Sequence, residues 1–172
     1  MDGPEKFSAV ELLRNGQRVE IRALRPSDRS ALEKAVDQTS PLSLYRRFFA
    51  VRTVFTEEQA SYFVDIDFKT HVALVAIVDE VTGPSIAGGA RYVLVDSDKA
   101  EIAFMSVDAY QGRGIGSTLL RHLVTIAKGA GILQFIAEVL PENTPMLKLF
   151  EKSGLQMSVQ SEPGVTHVTL DL

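Results

Sequence analysis

The sequence predicts an α/β protein built on one mixed, partly antiparallel sheet. Three observations lead there. Apolar and polar residues alternate along "RVEIRALR" (Arg18 to Arg25), the period of a strand. "HVALVAIVD" (His71 to Asp79) is a continuous apolar run rich in valine, as in a strand buried on both faces. "YQGRGIGSTLL" (Tyr110 to Leu120) then sets Gly112, Gly114 and Gly116 between a strand-like segment and a helix-like one. Strand, glycine turn, helix and strand in that order predict a β-α-β unit with a right-handed parallel crossover.

The elements follow in order. "SAVELLRNG" reads as a short helix stopped by Asn15-Gly16, so residues 1–17 are expected to be a helical extension of one domain spanning 1–172. Pro26 ends the first strand. "SDRSALEKAVDQ" is a helix with Ser27 or Asp28 as cap and with Leu32 and Val36 on one face. "PLSLYRRFF" predicts a second helix from Pro41, and "TEEQASYFVD" a third from Thr56. After the strand at 71–79, "IAGGARYVLVD" and "KAEIAFMSVD" are a hairpin joined by "DSDK". Leu119, Leu123, Ile126 and Ala130 repeat at helical spacing. "LQFIAEVL" is a strand, "NTPMLKLFEKSG" a capped helix, and "LQMSV" with "THVTLDL" a terminal strand pair.

Composition excludes several functions. A chain of 172 residues with 45% hydrophobic content suits one core. A net charge of −4 gives no electrostatic footprint for nucleic acid. The absence of cysteine excludes disulfides, thiolate-bound zinc and a thiol nucleophile. His71, His122 and His167 lack metal-ligand spacing, so no metal is expected. Without a signal peptide or a membrane-length apolar run, the expectation is a cytoplasmic monomer or small homo-oligomer, away from membranes. "GPSIA" (Gly83 to Ala87) approaches a hydrolase elbow, but a strand follows it where a helix is required. "YRRFF" (Tyr45 to Phe49) is too short for a nucleic-acid platform; it reads as a helix with Arg46 and Arg47 outward.

The glycine stretch carries the chemistry. The first N–H groups of a helix have no intrahelical partner and carry partial positive charge, and glycine lets an anion press on the backbone. A Walker loop needs a lysine that is missing here. A dinucleotide fingerprint needs a third glycine where Ser117 stands, and it belongs to the first strand of its fold rather than to a strand fed by a hairpin. A plain tight turn and a site for some other phosphate-bearing ligand remain.

Gln111, Gly114 and Gly116 match the Gln/Arg-x-x-Gly-x-Gly/Ala signature of the GNAT family of N-acetyltransferases, which the chain resembles in element order along nearly its whole length. "NTPMLKLFEKSG" resembles that family's coenzyme-side helix, starting at Asn143 and ending at Gly154. "AEIAFMSVD", "IRALRPSD", "SLYRRFF" and "HVALVAIVD" resemble the bacterial Pat-type protein lysine acetyltransferases. The resemblance implies the GNAT fold, with helices flanking a mostly antiparallel sheet, and acetyl-CoA as co-substrate. The pyrophosphate would sit on N–H groups of Gly112, Arg113, Gly114, Ile115, Gly116, Ser117 and Thr118, with the Arg113 side chain as added charge. The pantetheine arm would pair with the edge at residues 103–107, which holds Met105, Ser106 and Val107, and an N–H near Val107 would face the thioester oxygen. Asn143 and Phe150 would line the coenzyme. Phe150 stands where many relatives place a tyrosine acid; Tyr45, Tyr62 and Tyr92 are weak substitutes.

The implied base is Glu101, on a strand where burial among apolar neighbours is expected to tune it. The implied reaction is acetyl transfer to a lysine amine of a protein, with an acyl-CoA synthetase as one candidate substrate. A small amine as acceptor, or a non-catalytic acyl-CoA sensor, are the alternatives. Pat-type proteins often carry a further regulatory domain, for which 172 residues leave no room.

Overall fold

The structure, a computed structural model, describes residues 2–40 and 56–172. The helix expected from Pro41, with Tyr45, Arg46 and Arg47, lies outside the described residues. Strands β1 (Ser8–Leu12) and β2 (Arg18–Ala23) come first, followed by helices α1 (Arg29–Asp37) and α2 (Glu57–Val64). Then come β3 (His71–Glu80), β4 (Gly83–Asp96), β5 (Lys99–Ser106), α3 (Ile115–Gly129), β6 (Gln134–Val139), α4 (Thr144–Glu151), β7 (Gln156–Glu162) and β8 (Val165–Asp171). They form one eight-stranded sheet in the order β1-β2-β3-β4-β5-β6-β8-β7. Every neighbouring pair is antiparallel except β5 and β6, the two ends of the predicted crossover.

The first element corrects the sequence reading. Residues 8–12 are a strand, not a helix, paired with β2 from Ser8↔Arg22 to Leu12↔Arg18. Asn15-Gly16 is a hairpin turn rather than a helix cap. Gly16 takes φ +82°, the Asn15 side chain accepts from the Gln17 N–H, and the Leu13 N–H donates to the Gln17 carbonyl. Five residues cannot repay the cost of nucleating a helix, whereas β2 offers a ready ladder.

Each face of the sheet holds its own core. On one, α3 packs Ile115, Leu119, Leu123 and Ala127, and α4 packs Phe150, against Leu74, Tyr92, Phe104 and Phe135. On the other, α1 and α2 bring Ala35 and Val64 onto Ala73, Val75 and Ile86. The period-two alternation of each strand sorts its side chains between the two layers. Asp28 stands at the N-cap position of α1, but its carboxylate makes no bond to the helix. It receives both Arg22 Nη atoms, at 2.7 and 2.8 Å, and the Arg25 N–H at 2.8 Å. This nearly buried pair ties α1 to β2. Burial acts to raise the Asp28 pKa; the bonds from Arg22 and Arg25 outweigh it, so the carboxyl lies below its usual range.

His71, at the start of β3, is buried beside Arg91 of β4. The guanidinium can only donate, so His71 Nε2 accepts from Arg91 Nη1 at 3.2 Å and the ring proton sits on Nδ1. Burial first, and then the Arg91 charge, push the His71 pKa down to about 4, against a smaller opposing pull from Asp67. The folded chain refuses a proton that the unfolded chain accepts below its ordinary value of 6.5. Stability is therefore expected to fall as pH drops through the interval from 6.5 to about 4. The loss across that window is on the order of 3 kcal/mol. Urea unfolding of wild type and His71→Gln over this range should show the wild-type slope flattened in the variant.

Candidate functional site

The site begins where two strands part. β5 and β6 pair only at Lys99↔Gln134, Ala100↔Phe135 and Glu101↔Ile136. Beyond Glu101 they separate, while β5 stays paired with β4 as far as Ser106. A cleft of about 470 Å³ opens between them, closed at its far end by the glycine loop and flanked by α4. The Val107 N–H donates to the Ala87 carbonyl at 2.9 Å, which fixes the parity of the β4–β5 ladder. Antiparallel alternation then turns the backbone N–H groups of Phe104 and Ser106 away from β4 and toward the cleft. The Ser106 carbonyl on that side accepts from Gln111 Nε2 at 3.3 Å.

Most of the predicted site residues meet at this cleft. Glu101, Met105, Ser106, Gln111, Gly112, Gly114, Ile115, Gly116, Ser117, Asn143 and Phe150 all line it. Gly112 and Gly114 take φ +76° and +92°, the left-handed region in which a side chain is strained. Gly114 is the N-cap of α3, so the free N–H groups of the first turn open beside it. A Cβ on Gly116 would lie 3.3 Å from Leu149 Cδ2, so glycine also lets α3 approach α4. Asn143 caps α4 by accepting from the Met146 N–H at 3.4 Å. Phe150 is buried, with its ring edge-to-face on Phe104.

Three predicted residues are elsewhere engaged. The Val107 N–H is spent on Ala87, so it cannot face a thioester oxygen, and its side chain packs toward α1 and α2. The Thr118 N–H and hydroxyl both donate to the Gly114 carbonyl, at 3.1 and 2.9 Å, as the first helical turn requires. Arg113 turns back from the cleft: its guanidinium lies 5.1 Å from the Tyr110 ring centre, and Nη1 donates to Gln17 at 3.2 Å.

Glu101 is exposed, where burial is expected from its apolar neighbours. Strand alternation is the reason: Ala100 and Ile102 point into the α3 layer, and Glu101 points out of the opposite face. Its carboxylate has no hydrogen bond or ion pair among the described residues. Tyr62 and Tyr92 lie away from the cleft, and Tyr45 falls outside the described residues. Tyr62 is 54% exposed and stacks near His71, and Tyr92 is a core residue against Phe135. Burial first, with the Asp67 charge, pushes the Tyr92 hydroxyl up to about 12.

Tyr110 and Arg14 line the cleft without a sequence signal for either. The Tyr110 hydroxyl donates to Glu80, and burial followed by that bond pushes its pKa up to about 12, a poor proton source. Arg14 arrives from the hairpin that the sequence reading took for a helix. Arg14, Lys148 and Lys152 put positive charge along the helix side of the cleft, while Glu101 and Glu138 are exposed on its strand side.

The model of the acetyltransferase (GNAT) family matches residues 40–155, two thirds of the chain. The chain belongs to the GNAT family of acetyltransferases. Acetyltransferase Pat of Mycolicibacterium smegmatis is 33% identical over 162 residues, covering 93% of this chain and 47% of Pat. The chain thus spans about half the length of that relative. An acetyltransferase of Pseudomonas aeruginosa is 30% identical over 141 residues, 81% of this chain and 76% of the relative. The crystal structure of the GNAT domain of S. lividans PAT superposes with a TM-score of 0.87 at 33% identity, covering 96% of this chain and 97% of that domain. Membership of the GNAT family makes acetyl-CoA the ligand against which this cleft can be tested. The residues present suit it: two left-handed glycines beside a helix N-terminus, a strand edge with free N–H groups, and cations on the helix side.

Gly114→Val forces a β-branched residue into the left-handed region, at a cost of about 1–3 kcal/mol. Urea unfolding should show that loss, and an unchanged midpoint would mean that the turn readily takes another conformation.

Proposed function

We propose that this GNAT enzyme acetylates a lysine side chain of a protein, with Glu101 as general base. The observation that carries the proposal is the free, exposed Glu101 carboxylate, set where β5 leaves β6 and the coenzyme cleft begins. Acetyl-CoA would lie with its pantetheine amides on the edge at Phe104 and Ser106 and its diphosphate against Gly112, Gly114 and the first turn of α3. The thioester would then lie near the point of divergence, in the neighbourhood of Glu101.

A lysine ammonium has a pKa near 10.4, so roughly one in a few thousand is neutral at pH 7. Glu101 would take its proton, directly or through one water. The nitrogen lone pair then forms the new C–N bond at the thioester carbonyl, the C–S bond breaks, and coenzyme A leaves as the thiolate. The Phe150 ring offers no proton to that thiolate, and the Tyr110 hydroxyl is held by Glu80. A thiolate leaves without such help, being far more stable than an alkoxide. With Val107 spent, an N–H of the open β5 edge that the pantetheine leaves unpaired would serve as the oxyanion donor.

Charge supports an amine acceptor: the cations lie on the helix side, where the phosphates would be, and Glu101 and Glu138 on the strand side. The open position of Glu101 and the likeness to Pat support a protein as its bearer, with an acyl-CoA synthetase as one candidate.

Incubation with labelled acetyl-CoA and a bacterial extract should give labelled lysine residues by mass spectrometry. Label found only on small amines would overturn the protein substrate. Glu101→Gln should bind acetyl-CoA nearly as wild type does in calorimetry and lose about 10²–10⁴-fold in turnover. Unaltered turnover would remove Glu101 as the base.

A further inference from the structure

The β1–β2 hairpin is fastened to the glycine loop. The Arg14 N–H donates to the Arg113 carbonyl at 3.3 Å, and Arg113 Nη1 donates back to the Gln17 side chain at 3.2 Å. Behind them the Arg113 guanidinium is stacked on Tyr110, whose hydroxyl is held by Glu80 at the end of β3. These contacts bring Arg14 to the N-terminus of α3. Its Nε lies 3.5 Å from where a Gly114 Cβ would be, and its side chain lines the cleft beside Gly112 and Gly114. The Arg14 side chain has no hydrogen bond or ion pair among the described residues. The two arginines therefore differ in kind: Arg113 is engaged within the protein by Gln17 and the Tyr110 ring, and Arg14 has a free guanidinium at the anion end of the cleft.

We infer that Arg14, carried in by the N-terminal hairpin, is the side chain that grips the diphosphate of acetyl-CoA, and that Arg113 is a positioning residue that holds the hairpin in place. The planar guanidinium fork suits two phosphate oxygens at once. It lies on the same approach as the free N–H groups of α3, so side chain and backbone converge on one anion. The diphosphate is the committed occupant because Arg14 lies against Gly114, at the root of the loop. The inference rests on the reading of the glycine loop as the diphosphate site.

Calorimetric titration of the full chain with coenzyme A and with 3′-dephospho-coenzyme A tests it. Arg14→Ala is expected to weaken both ligands by about 10-fold or more, the scale of a lost charge-assisted hydrogen bond. Arg14→Lys should recover part of the loss, because it restores charge but not the fork. Arg14 is exposed, so unliganded Arg14→Ala should unfold at the wild-type urea midpoint. Arg113→Ala should also weaken both ligands, but Arg113→Ala added to Arg14→Ala should cost little more, since nothing is left to position. Wild-type affinity in Arg14→Ala would overturn the inference. So would a loss seen with coenzyme A and absent with the dephospho form, since Arg14 would then read the 3′-phosphate. Failure of the wild-type chain to bind either ligand would instead overturn the reading of the loop, which keeps the two failures apart.

Discussion

The structure depends on one constraint: β5 and β6 pair for three residues and then part. A sheet normally satisfies each strand on both sides. Here β5 keeps β4 on one side and offers the other to a ligand for the rest of its length. The cost of unpaired N–H and C=O groups is avoided only because the edge opens into a wet cleft rather than a dry core. The crossover through α3 makes the parting possible. The helix packs on one face through Leu119, Leu123 and Ala127, and its N-terminus is left at the cleft's closed end. Edge, glycine loop and helix end are consequences of the same divergence.

Around that cleft the chain sorts charge by function. The helix side carries the free guanidinium of Arg14, Lys148 of α4 and Lys152 at its C-cap, and the strand side carries carboxylates. A ligand with phosphates at one end and a thioester at the other has one sensible orientation in such a field. The arginine that the motif contains is not the one left free. Arg113 is consumed in holding Tyr110 and Gln17, so the hairpin that reaches the loop can present Arg14 instead. Local bonding inside the fold decides which cation is available to a ligand.

The sequence carried the β-α-β unit plainly, because its signals are local: alternation in β2, a valine run in β3, glycines at positive φ, and helical spacing in α3. The motif residues Gln111, Gly112, Gly114 and Gly116 all line the cleft, since backbone geometry in a tight turn is written in glycines. Other features depended on distant partners. β1 became a strand because β2 was beside it, not because of its own composition. Val107 lost its N–H to Ala87, twenty residues upstream, and no local pattern announces that pairing. Glu101 looked buried from its neighbours in the chain, yet strand alternation sends them to the opposite face. Arg14 is about a hundred residues from the glycines and meets them only through the sheet.

Amide hydrogen exchange on the full chain, with and without acetyl-CoA, tests the divergence most directly. The account predicts new protection concentrated in residues 103–106 and 112–117, with little change in β1, β7 and β8 away from the cleft. Protection confined to the α1–α2 layer, with the β5 edge exchanging as before, would contradict it.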